Sequence, residues 1–258
     1  MPTALVTGAS SGIGAAFARR LASDGYELVL VARNESRLTA GRLDLLKIGA
    51  PAVEVLTADL TDAGQRDAVC ARLADAKKPV SLLVSNAGMA LGKGFLASTA
   101  AELQAQLDLN VSAVMMLTHA ALPGMIARGH GGIITISSIA SMLPGRGSAY
   151  GAFKSWVTAF SEGIGMSVRS KGIRMVAVCP GFVRTEFHER AGIDMQGNPE
   201  WMFVPMDVLV GQSLAGLRAG KSVVIPGALY KTIAAAVKFA PRSLVRRATN
   251  LVDGRTRD

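Results

Sequence analysis

Short apolar runs alternate along this chain with longer segments in which apolar residues recur every three or four positions. The runs at 3–7, 27–31, 52–57, 81–85, 133–137, 174–179 and 222–225 are rich in Val, Ile and Leu and read as buried strands. The segments between them read as amphipathic helices. In 13–23, for example, Ile13, Ala16, Phe17 and Leu21 fall on one stripe. Strand–helix alternation predicts an α/β fold, a doubly wound parallel sheet covered on both faces, with ligands beyond the carboxyl ends of the strands. No repeat or linker divides the chain, so 1–258 reads as one domain. Two segments break the rhythm. Residues 186–206 carry glycines, prolines and large apolar side chains and read as a lid of loop or short helices. Residues 228–258 read as a basic helical extension, interrupted at Pro241.

Composition narrows the class. Half the residues are apolar and 18% are charged, enough for a large core. Cys70 and Cys179 lie far apart with no metal-like spacing, which predicts no metal and a reducing, cytoplasmic setting. No apolar run approaches the roughly 20 residues of a membrane span, and the first glycine comes too early for a signal peptide. The net charge is +9, and the segment 231–258 holds seven Lys/Arg against two Asp. It lacks interleaved aromatics, so nucleic acid is not the expected partner. The preferred reading packs this tail on its own domain or on a second copy. A weak peripheral contact with anionic lipid is the alternative.

The first strand runs into TGASSGIG, in which Gly8, Gly12 and Gly14 let the backbone turn and approach a pyrophosphate at a helix N-terminus. Ser10, Ser11 and Ile13 complete that loop. An NAD site typically places a carboxylate roughly 20 residues beyond the glycines. Here VLVARNESR offers Arg33, with Arg37 one helical turn on, and no acid at the strand end. Guanidiniums there suit a 2′-phosphate, which predicts NADP. Further on, SAYGAFKS places Tyr150 and Lys154 four residues apart, on one face of a helix. Taken alone, that pair is far more often structural than catalytic.

In combination, TGASSGIG, NAG, SS and YGAFK in this order resemble the short-chain dehydrogenases/reductases. The resemblance implies a Rossmann-type sheet of about seven strands in the order 3-2-1-4-5-6-7, an NADP(H)-dependent oxidoreductase and a homodimer or homotetramer. It implies that Asp59 holds the adenine amino group with Leu60 beside it, and that Asn86, Ala87 and Gly88 abut the adenosine ribose. Pro180, Gly181, Val183 and Thr185 would touch the nicotinamide carboxamide and begin the lid. Among the catalytic residues, Asn110 would hold a water, Ser138 the substrate carbonyl, Tyr150 the proton and Lys154 the phenol and nicotinamide ribose. Three departures stand out. The Ser138–Tyr150 interval is one residue shorter than the usual spacing, which Ser137 would restore. Ser85 replaces an asparagine, and Phe153 stands where a small residue is frequent.

On this reading a nearby ammonium and the positive ring of an oxidised nicotinamide both lower a phenol pKa that is ordinarily near 10. Phe187, Met195, Trp201, Met202 and Phe203 lean the substrate toward an apolar, acyl or lipid-like carbonyl compound. His188 reads as a solvated loop residue, and His119 and His130 as structural. Asp59 would alternatively cap a helix. Two weaker functional readings are a dinucleotide-sensing regulator without turnover and a platform for the basic tail.

Overall fold

The computed structural model describes residues 1–143, 148–195 and 197–240. The turn at 144–147, Gln196 of the lid and the tail from 241, including the expected break at Pro241, lie outside the described residues. The strands are β1 (Thr3–Thr7), β2 (Glu27–Ala32), β3 (Val53–Thr57), β4 (Leu82–Ser85), β5 (Gly131–Ile136), β6 (Ile173–Val178) and β7 (Val223–Val224). Helices α1 (Gly12–Ser23), α2 (Glu35–Ile48), α3 (Ala63–Ala74), α4 (Ala100–Leu107), α5 (Ala113–Arg128) and α6 (Ala149–Val168) connect the first six. Then come α7 (Glu186–Arg190), α8 (Met206–Arg218) and α9 (Ala228–Phe239). All strand pairs are parallel, in the order β3-β2-β1-β4-β5-β6-β7. This Rossmann-type sheet is the expected one. β5 starts two residues before the apolar pattern does, because Gly131 and Gly132 pair with Ile173 and Arg174 through backbone alone.

Successive side chains of a strand point to opposite faces, so β1 feeds two cores. Ala4 and Val6 face a layer with Phe17, Leu21, Leu30 and Leu209, all but sealed from solvent. Leu5 faces the other layer, with Leu83, Leu117, Met125 and Ile133. Each such side chain contributes about 1.5–3 kcal/mol on burial, so both helical layers are firmly held to the sheet. Tyr230 of α9 joins the first layer, with Leu229 and Ile233 against it. The first part of the basic extension therefore packs on its own domain, with Lys231 and Lys238 outward.

The helical run Ala100–Arg128 is long and apolar enough, by length and composition, to cross a membrane, which corrects the expectation that no such segment exists. Its inward residues Ala113, Val114, Leu117, Ala121 and Met125 belong to the protein core. The run passes through a π turn at Asp108–Ser112. Such a turn holds one extra residue and redirects the side chains that follow.

Candidate active site

The glycine loop leaves β1 at Thr7 and enters α1 at Gly12. Asn86, just past β4, fastens it. Its Nδ2 donates to the Thr7 carbonyl at 2.8 Å, while the Asn86 and Ala87 amides donate to Thr7 Oγ1 at 2.9 Å each. Gly14 is required by packing: a Cβ there would lie 2.3 Å from the Gly8 carbonyl oxygen. Side chains accept from first-turn amides at the starts of α2, α3, α4 and α6, whereas Ser11 makes no such bond at α1. A helix N-terminus with open donors above a glycine loop fits a pyrophosphate. The residues present therefore suit a dinucleotide.

At the adenosine end, Asp59 Oδ1 accepts from Thr61 N and Oγ1 at 2.9 and 2.8 Å. The capping alternative for Asp59 is excluded, because Asp62 caps α3 by accepting from Gln65 N. Asp59 Oδ2 stands 3.8 Å from Arg33, whose side chain is 72% exposed. Arg37, expected beside Arg33, turns instead to Glu186 at the start of α7, at 2.8 Å.

At the other end, Ser137 and Ser138 follow β5. Ser137 is buried; its hydroxyl donates to the Lys154 carbonyl at 2.8 Å and shares a hydrogen bond with Thr158 Oγ1 at 2.8 Å. Ser138 Oγ accepts from Ala140 N at 3.1 Å and shares a hydrogen bond with the Tyr150 hydroxyl. Of the two serines, Ser138 is the one that meets the phenol. Ser148 caps α6 by accepting from Tyr150 N, which places Tyr150 and Lys154 in successive turns. The Lys154 ammonium is buried, donates to the Ile136 carbonyl at 2.8 Å and sits 5.7 Å from the Tyr150 ring centroid.

Asn110 stands in the π turn, fully buried. It accepts from Met89 N at 3.0 Å and donates to Met89 O at 2.8 Å. Gly88 lies between it and Lys154: an added Cβ would be 2.9 Å from Asn110 Oδ1 and 3.3 Å from Lys154 Nζ. Asn110, Ser138, Tyr150 and Lys154, from three segments, therefore converge beyond the carboxyl edge of the sheet. We expect Asn110→Ala to destabilise the fold by about 1–3 kcal/mol, because both Met89 backbone groups lose a partner. Chemical denaturation checks this; an unchanged midpoint and slope would show that water replaces the amide.

Burial dominates the titration of this set. It pushes the Tyr150 phenol up to about 12, against the Ser138 hydrogen bond, and brings Lys154 down to about 8, against a weaker influence of Cys179. Burial thus opposes the acidity expected of the phenol, an expectation that also rests on the ring of an oxidised nicotinamide. Desolvation is the largest influence on the phenol, and the Lys154 Nζ is directed at the Ile136 carbonyl.

The lid follows β6. Val183 is buried, and Thr185 caps α7 by accepting from Phe187 N. The Phe187 ring lies 5.9 Å from that of Tyr150, and His188 packs on Phe187 and Phe182 at 5.5 and 5.8 Å. His188 is thus half-buried rather than solvated, and burial lowers its pKa. Trp201, expected among the pocket residues, is 70% exposed. Tyr230 of α9, which no sequence signal marked, braces the lid: its hydroxyl donates to Met202 O at 2.7 Å and its ring covers Gly181.

Residues 2–196 match the family model for short chain dehydrogenases. A curated relative, sulfoacetaldehyde reductase 2 of Chromohalobacter salexigens, is 37% identical over 188 residues, covering 71% of this chain and 73% of that protein. A short-chain dehydrogenase from Sphingobium yanoikuyae, solved in complex with NADPH, superposes with a TM-score of 0.84 at 38% identity, covering 92% of this chain and 94% of that one. The bulky-bulky ketone specific alcohol dehydrogenase from Comamonas testosteroni superposes with a TM-score of 0.79 at 30% identity, covering 98% and 94%. The motifs, the sheet order and these likenesses agree: the chain belongs to the short-chain dehydrogenase/reductase family and is an oxidoreductase of the nicotinamide-using kind.

Proposed function

We propose that the protein interconverts a carbonyl and a secondary alcohol with NADP(H), on a substrate bearing an apolar or acyl group. The convergence of Asn110, Ser138, Tyr150 and Lys154 on one cleft carries the reaction class. The chemistry that a reduced nicotinamide supplies when bound is a hydride for the carbonyl carbon. Gly8 to Gly14, Asp59, Asn86 to Gly88, Val183 and Thr185 would hold the dinucleotide, and Lys154 its ribose. Ser138 donates to the carbonyl oxygen and stabilises charge as it develops. Tyr150 gives that oxygen its proton. A phenol near 12 remains a far stronger acid than the alcohol formed, so burial does not block this direction. Asn110 fixes the backbone at Met89, in the loop after β4 beside Lys154, where a water can return the proton.

Arg33 supports the choice of NADP: it is the exposed guanidinium at the end of β2, and its nearest anion is loosely placed. Arg33→Ala is expected to weaken NADPH binding at least about tenfold and NADH binding little, since a charge-assisted pair of this kind is worth about 1.5–3 kcal/mol. Equal losses for both cofactors, read by fluorescence titration, would remove the 2′-phosphate assignment. The Phe187 ring beside Tyr150 supports an apolar substituent. The test is NADPH oxidation across bulky ketones, 3-oxoacyl thioesters, steroids, sugars and small anionic aldehydes. Activity confined to the last two would overturn the apolar reading. Exposed Met115, Met116 and Met166 on α5 and α6 support assembly with a second copy through those helices.

A further inference from the structure

Glu186 opens α7 immediately after the Thr185 cap, and its carboxylate lies between two guanidiniums. Arg37 Nη1, from α2, reaches its two oxygens at 2.8 and 3.2 Å. Arg190, one turn along α7, bonds to the same carboxylate, and its Nη2 also lies 3.4 Å from Ser11 Oγ in the glycine loop. Arg37 and Glu186 stand 149 positions apart, so their pair ties the far side of the glycine loop to the lid. At the other margin of α7 the Ala191 carbonyl presses on Gly92, where an added Cβ would lie 1.6 Å from its oxygen. The lid helix is thus held at both edges.

We propose that Arg37 and Glu186 are positioning residues that clasp α7 over the cofactor site, and that Arg37 is not a ligand of the 2′-phosphate. The proposal rests on the nicotinamide-dependent reading above. A phosphate that took Arg37 would have to displace the Glu186 carboxylate and would then face its negative charge; Arg33 demands no such exchange. The clasp also has a mechanical reason to matter. Glu186 sits between Thr185, whose methyl group lies 3.1 Å from where a Gly12 side chain would stand, and Phe187, which covers Tyr150. One ion pair therefore sets the neighbours that meet the glycine loop and the reacting phenol. About half of each side chain is exposed, so the clasp is a modest and salt-sensitive bias on lid opening rather than a lock.

Two measurements on the full chain test this. In the cofactor-free protein, Arg37→Ala and Glu186→Gln should each speed hydrogen exchange of the amides at 186–192 by about two- to fivefold, and the double variant no more than either single one. High salt should erase the difference. Cofactor titration should then show NADPH and NADH weakened by the same factor in both variants, leaving their ratio unchanged. Unaltered exchange would overturn the clasp. A loss confined to NADPH in Arg37→Ala, or a gain of NADPH affinity in Glu186→Gln, would return Arg37 to the phosphate site. Failure to bind either dinucleotide in the parent protein would instead defeat the cofactor reading, and the exchange result would still stand.

Discussion

Tyr150→Phe removes carbonyl reduction by about 10²–10⁴-fold and leaves cofactor binding within about twofold of the parent. The phenol is the group placed to give a proton to an oxygen held by Ser138, so deleting its hydroxyl leaves the new alkoxide without a donor. The ring itself keeps its place: Phe187 still packs at the same face, and Ser138 still accepts from Ala140. A structural role would therefore show as lost stability with retained turnover, the reverse pattern. Steady-state kinetics with fluorescence titration of the cofactor decides between them. Retention of more than a few per cent of activity would remove the proton donor role.

The direction of the pKa displacements extends this to pH. Reduction needs the phenol protonated, a condition met far above neutrality, and the ammonium of Lys154, which is lost as pH rises through about 8. Reduction should accordingly hold steady near neutral pH and decline above about 8. Alcohol oxidation, which needs the phenolate, should climb over the same range.

Lys154→Met is expected to abolish most turnover while flattening the dependence of stability on pH. Burial holds the Lys154 ammonium at about 8 in the folded protein against 10.5 ordinarily. Between those values the unfolded chain binds more protons than the native one, so stability rises with pH across that window. Below about 8 the full penalty is present, roughly 3 kcal/mol for a fully buried group, and above about 10.5 it is gone. The Met variant lacks this titration, although it forfeits the hydrogen bond to Ile136. Denaturant melts of both proteins from pH 7 to 10.5 should therefore converge, the parent gaining on the variant by about 3 kcal/mol. Parallel curves would mean that the ammonium is far better solvated than its surroundings suggest. A buried cation retained at such a cost, beside Asn110 and the phenol, is what a functional site looks like when activity opposes stability.

The linear order of residues sufficed for the layered sheet, the glycine loop and the pairing of Tyr150 with Lys154 on one helix face. Each of these is encoded locally. Strand and helix periods are read over a few residues, glycines mark turns, and Tyr150 and Lys154 reach one face because a helix puts them there. Composition likewise located the lid segment and the basic extension, though it misjudged how inward His188 and Trp201 would lie.

Other outcomes depended on which distant groups meet. Nothing local separates Ser137 from Ser138; the first is turned into α6 by Lys154 and Thr158, the second toward Tyr150. Asn110 enters the site through a π turn that leaves no mark on the apolar pattern. Arg37 faces Glu186, and Tyr230 braces Gly181 and Met202, across separations no sequence window spans. The burial of the phenol was illegible for the same reason. An ammonium four residues away is visible in the sequence, whereas desolvation, which raises the phenol's pKa, is set by every segment that closes around the ring.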